Sequence, residues 1–100
     1  MVKIVWTDLA VNELKAIFDY ISKDSKKYAA NQIYRIKSRT TILKTNPLAG
    51  RIVPELEIEA IREVIEGNFR IIYRVLDEKS IEILTVHHSA RDFHSTSIIV

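Results

Sequence analysis

The spacing of apolar side chains changes period twice along this chain. Val2, Ile4 and Trp6 alternate with Lys3 and Val5, and this period of two predicts a short strand over residues 2–6. Thr7 is a helix N-cap residue, and Asp8 favours the positive end of a helix dipole. Ala10, Leu14, Ile17, Phe18 and Ile21 then recur at helical spacing, predicting an amphipathic helix over residues 8–22. Lys23, Asp24 and Ser25 form a polar link, with Ser25 as the next N-cap. A second helix is predicted over residues 26–44, its stripe formed by Ala29, Ile33, Ile36, Thr40 and Leu43. Two amphipathic helices on a short polar link predict an antiparallel helical hairpin.

Asn46-Pro47 ends the second helix, because a residue before proline avoids the helical region. Residues 47–50 read as a turn, and the stretch to residue 59 as loop or edge. Three strands follow, over residues 61–66, 69–76 and 80–87, separated by Gly67-Asn68 and by Asp77-Glu78-Lys79. Turns this short make an antiparallel meander. The order β-α-α-β-β-β predicts an α+β fold, an antiparallel sheet with the helical hairpin packed on one face. In the middle strand, Phe69, Ile71, Tyr73 and Val75 belong on the hairpin. Arg70, Ile72, Arg74 and Leu76 take the opposite, open face. Residues 97–100 read as a small strand, a helical turn or an apolar end needing cover.

The chain has 100 residues, room for one domain over residues 1–100. With 47% hydrophobic and 28% charged residues it has the profile of a globular domain. The absence of cysteine excludes a disulfide framework, a thiol nucleophile and a zinc finger. The first eight residues hold no long apolar run, and no stretch approaches the ~18 apolar residues of a membrane span. A cytoplasmic protein with no membrane partner and no cofactor is the expectation. The net charge of +2 hides a division. Residues 1–50 carry nine basic and four acidic side chains, a net of +5, whereas residues 51–100 carry six and nine, a net of −3. Six basic and no acidic residues lie between Ser25 and Asn46. In the second half the cations are arginines except for Lys79.

Those arginines are the first candidates for chemistry. Arg62, Arg70 and Arg74 fall in adjacent strands, with Arg51 just before and Arg91 just after. A guanidinium is planar, always charged and forks onto phosphate oxygens. The same residues serve equally well in cross-strand pairs with Glu63, Glu66, Glu82 or Asp92. His87 and His88 close the last strand, with His94 further on, and histidine suits acid–base work near neutral pH. Adjacent residues on a strand point to opposite faces, so one site takes one of the pair, and alternation alone leaves open which. None of these residues has metal-site spacing. Glu55, if it faced Arg70 and a histidine, would complete a base, a charge stabiliser and an acid, the set needed to cleave RNA through its own 2′-hydroxyl. Lys37 and Lys44 flank the apolar stripe of the second helix, either as a solvated face or as an electrostatic footprint for nucleic acid.

Several segments, in order and spacing, resemble the RelE/ParE superfamily of bacterial toxins. They are Val5-Trp6-Thr7, Phe18-Asp19-Tyr20-Ile21, Pro47-Leu48-Ala49-Gly50-Arg51-Ile52-Val53-Pro54-Glu55, Ile61-Arg62-Glu63, Gly67-Asn68-Phe69-Arg70-Ile71-Ile72-Tyr73-Arg74-Val75 and Ile81-Glu82-Ile83-Leu84-Thr85-Val86-His87-His88, followed by Arg91. The resemblance implies the toxin of a type II toxin–antitoxin module, held silent by a cognate antitoxin. In its RNA-cleaving branch, set first here, the toxin enters the ribosome and cuts mRNA without metal. Carried over by position, Glu55 is then general base, Arg70 phosphate stabiliser and His87 general acid. Arg62 and Arg74 hold the backbone, with Arg51, Arg91, Lys37 and Lys44 as further binding residues. In the ParE branch the target is DNA gyrase and RNA is not cut. A third reading is an inactive homologue that serves as an interaction module. Where many RNA-cleaving members have a C-terminal tyrosine this chain has Phe93, which cannot donate a proton. A basic toxin surface favours an acidic amphipathic partner segment lying over part of the helical hairpin or a sheet edge.

Overall fold

The computed structural model describes residues 1–89; the expectations placed on Arg91, Phe93, His94 and residues 97–100 lie outside the described residues. The elements are β1 (Lys3–Trp6), α1 (Asp8–Ser22), α2 (Lys26–Arg39), a 3-10 helix (Thr40–Lys44), β2 (Arg51–Ile52), β3 (Ile61–Glu66), β4 (Phe69–Asp77) and β5 (Ser80–His88). They build the expected α+β architecture, with the sheet in the order β1-β5-β4-β3-β2. The meander is antiparallel, while β1 joins the edge of β5 in parallel. β2 adds a two-residue edge strand within the stretch read as loop or edge.

Both helices begin where a side-chain oxygen caps them. The Thr7 hydroxyl accepts from the Ala10 N–H at 3.1 Å and donates to the Ile83 carbonyl at 2.9 Å, tying the start of α1 to β5. The Ser25 hydroxyl accepts from the Tyr28 N–H at 3.1 Å. The second helix does not stay α-helical to residue 44. The Thr40 and Thr41 hydroxyls donate to the carbonyls of Lys37 and Ser38, at 2.7 and 2.8 Å, as the helix tightens into the 3-10 helix. Such hydroxyls compete with the regular helical ladder.

The core lies between hairpin and sheet. Ala10, Leu14, Ile36 and Leu43 from the helical side pack on Val64, Ile71, Tyr73, Ile81, Ile83 and Val86. The opposite face is less open than the alternation in β4 implied. There Val53, Ile61, Ile72 and Leu84 make a second, smaller core, and Leu56 covers it from the loop after β2. A bulge serves this second core. Ile72 pairs with Thr85 and Tyr73 with Ile83, so Leu84 is an extra residue in β5. Past the end of β1, Glu13 of α1 takes the place of a strand at the β5 edge, accepting from the Val86 N–H at 3.0 Å and the Thr85 hydroxyl at 2.6 Å. No helix among the described residues is long and apolar enough to cross a membrane.

Candidate functional site

The site is mounted on Gly50. Tyr73, fully buried in β4, accepts from the Gly50 N–H at 3.0 Å and donates its own hydroxyl proton to the Pro47 carbonyl at 2.8 Å. Burial raises the Tyr73 phenol above its ordinary pKa, so it stays a donor. Arg62 reaches the same residue from β3, its Nη1 donating to the Gly50 carbonyl at 3.0 Å. A Cβ on Gly50 would lie 2.5 Å from the Glu63 carbonyl oxygen and 2.7 Å from the Tyr73 hydroxyl. The backbone entering β2 is thus held at both polar groups with no space for a side chain.

Arg51 and Glu63 face each other across β2 and β3. The Glu63 side chain is wholly buried, and its two oxygens serve two arginines. Oε2 accepts from Arg51 Nε at 2.6 Å and Oε1 from Arg70 Nε at 2.7 Å. Arg70 turns its remaining edge to Glu55, with Nη1 and Nη2 each 2.7 Å from one carboxylate oxygen. This fork lowers the Glu55 pKa to about 2, against the opposing effect of desolvation. Its folded value lies below the ordinary one of 4.5, so the pair contributes stability above pH 4.5 that is lost as pH falls towards 2. His87 is the Cα partner of Arg70, which puts it on this face. His88 points the other way, its ring edge-to-face with Phe69 at 5.2 Å. The choice that alternation left open therefore falls on His87.

Glu55, Arg70, His87 and Arg51 thus share one face, gathered around a carboxylate that sequence reasoning counted only as a cross-strand partner. Arg74 lies on the same face, paired with Glu82 at 3.8 Å. Arg62 is not with them. It is the Cα partner of Tyr73 and shares its face, the helical one. Lys37 and Lys44 also stand apart, in a groove of about 630 Å³ on the helical side of the sheet, which they line together with Ile4, Trp6, Lys15, Phe18 and Ile33. Arg91 lies outside the described residues. Among the described residues no three His, Cys, Asp or Glu side chains are placed to hold a metal ion.

Chemically the face is a chain of charge pairs: Arg51, Glu63, Arg70 and Glu55 sum to zero. All three Arg70 guanidinium nitrogens meet carboxylates. A carboxylate with a pKa of about 2 is a weak proton acceptor at neutral pH.

Structures from two toxin–antitoxin systems share this fold of a five-strand sheet carrying a helical hairpin. A chain of the chromosomal ParDE TA system of P. aeruginosa is similar over 88% of this chain and 96% of that one, with a TM-score of 0.71 and 25% identity. The RelBE2 toxin–antitoxin complex of Mycobacterium tuberculosis matches over 87% of this chain and 96% of that one, with a TM-score of 0.56 and 22% identity. The family model described as "ParE toxin of type II toxin-antitoxin system, parDE" matches residues 4–93, and the chain belongs to that family. A protein of Sinorhizobium fredii named "Putative toxin Y4kP" is 32% identical over 87 residues, covering 87% of this chain and 88% of its own length. The chain is therefore the toxin of a type II toxin–antitoxin system, with a cognate antitoxin as partner.

Proposed function

We propose that this toxin acts on a protein target, DNA gyrase, and does not cut RNA. The observation that carries the proposal is the Glu55–Arg70–Glu63 chain. RNA cleavage by these residues needs Glu55 to take a proton and Arg70 to meet a phosphate. Both side chains are instead engaged with each other through a bidentate fork, and a second carboxylate holds Arg70 from behind. Membership of the ParE family supports the same reading, since its branch of the superfamily resemblance implies gyrase as target. Primer extension on mRNA from cells expressing the toxin is expected to show no new 5′ ends as growth stops. New ends that vanish with Arg70→Ala would overturn the proposal and restore cleavage.

The antitoxin contact belongs to the other side of the molecule. The groove beside β1 has an apolar floor from Ile4, Trp6, Phe18 and Ile33, and Lys15, Lys37 and Lys44 at its rim. An acidic amphipathic segment matches it in both respects. Lys15→Glu combined with Lys44→Glu is expected to weaken antitoxin binding by about tenfold or more at low salt, the scale of two reversed charges at an interface. Calorimetric titration checks this, and an unchanged affinity would place the antitoxin elsewhere.

A further inference from the structure

Arg51 is an exposed cation with an unusual mount. Its side chain is 63% exposed, yet its Nε is bonded to the buried Glu63 carboxylate at 2.6 Å. The residue before it is fixed through its N–H by Tyr73 and through its carbonyl by Arg62. Among the described residues the two η nitrogens of Arg51 have no partner. They form a planar donor fork whose ordering costs were met on folding, which favours binding of an anion.

Glu55 is the companion group. Its side chain is 40% exposed, and Arg70 fixes it by both oxygens. An ionised carboxylate offers about four acceptor positions, so positions remain for a second donor. Arg51 and Glu55 are near enough for the arginine charge to stabilise the carboxylate. A polyanionic backbone laid along this ridge meets Glu55 beside Arg51 and is repelled there. A protein surface with one acid and one base meets an attraction at each.

We propose that Arg51 and Glu55 form a fixed cation–anion couple that docks a protein surface bearing the reversed couple, an acidic side chain on Arg51 and a basic one on Glu55. Glu63 is the positioning residue that holds the arginine. The inference rests on the reading of the target as a protein, and it names the contact that selects it.

The test compares the full-length wild type with Arg51→Lys and Glu55→Gln. Lysine keeps the charge and one bond to Glu63 but has no fork, and Glu55→Gln changes an exposed group, so a folding defect in one variant leaves the other informative. Arg51→Lys is expected to melt within about 2 °C of wild type, and Glu55→Gln a few degrees lower because it weakens the Arg70 fork, with both variants folded at the assay temperature. Each variant is expected to inhibit gyrase supercoiling about tenfold less well than wild type, the scale of one lost charge-assisted contact, and to arrest growth correspondingly less. The salt dependence of Arg51→Lys should match wild type, because the net charge is kept; loss of general electrostatic attraction would flatten it. Weak binding to a short single-stranded RNA should not change. Both variants as potent as wild type would overturn the couple and leave the gyrase reading standing. Tight RNA binding by wild type that Arg51→Lys abolishes would overturn it in favour of a phosphate site. Wild type inert on gyrase, with growth arrest still lost in both variants, would remove gyrase as target and retain the couple as the protein contact.

Discussion

Replacing Glu63 by alanine is expected to cost about 3 kcal/mol of folding stability, the low end of the range for breaking a buried ion pair. The side chain is wholly buried, and its removal leaves Arg51 and Arg70 facing each other without their shared counter-charge. The low end applies because Arg51 is largely exposed and Arg70 keeps the Glu55 fork. Glu63→Gln, which retains an acceptor and the shape, should cost less, about 1–2 kcal/mol. Urea unfolding of the purified toxin measures both. Glu78, exposed in the β4–β5 turn, is the control, and Glu78→Ala should stay within about 0.5 kcal/mol of wild type. A Glu63→Ala protein as stable as Glu78→Ala would show that the arginines do not need the buried carboxylate.

Gly50→Ala is expected to cost a similar amount for a different reason. The added methyl would sit 2.5 Å from the Glu63 carbonyl oxygen, and backbone cannot swing aside as the end of a side chain can. Overpacking of this kind costs about 1–3 kcal/mol. Shifting the turn also strains the Tyr73 bonds to Gly50 and Pro47, each worth about 1 kcal/mol. Gly67 provides the contrast. It adopts φ +56 with open space around it, so Gly67→Ala should cost only the conformational term, about 1–2 kcal/mol. Thermal unfolding of the two variants should separate packing from conformation. A Gly50→Ala protein more stable than Gly67→Ala would contradict the clamp.

Much of this fold is legible in the sequence because local signals and tertiary packing agree. Thr7 and Ser25 are capping residues and do cap. The stripe from Ala29 through Ile36 to Leu43 is buried as its spacing requires. Glu66-Gly67-Asn68-Phe69 turns the chain because Gly67 takes a positive φ that other residues resist. The site is less legible, because it depends on register. β3 is apolar on both faces, through Val64 on one side and Ile61 and Ile65 on the other, so its pattern does not say where Arg62 and Glu63 point. Pairing of Ile61 with Arg74 decides it, sending Arg62 to Tyr73 and Glu63 to the arginine face. The Leu84 bulge likewise breaks the alternation by which His87 and His88 would be assigned. No local signal marks residues 53–56 as a cover for that face, since Val53 and Leu56 look like ordinary loop residues until Ile72 is placed beneath them.

These elements converge on a face whose charges are matched to one another, which suits a contact with a protein more than chemistry on RNA. The most direct test incubates the purified toxin with gyrase, ATP and relaxed plasmid, then releases trapped complexes with detergent and protease. The expected result is linear DNA that accumulates with toxin concentration and requires gyrase. Unbroken plasmid and unimpaired supercoiling at every toxin concentration would contradict the account.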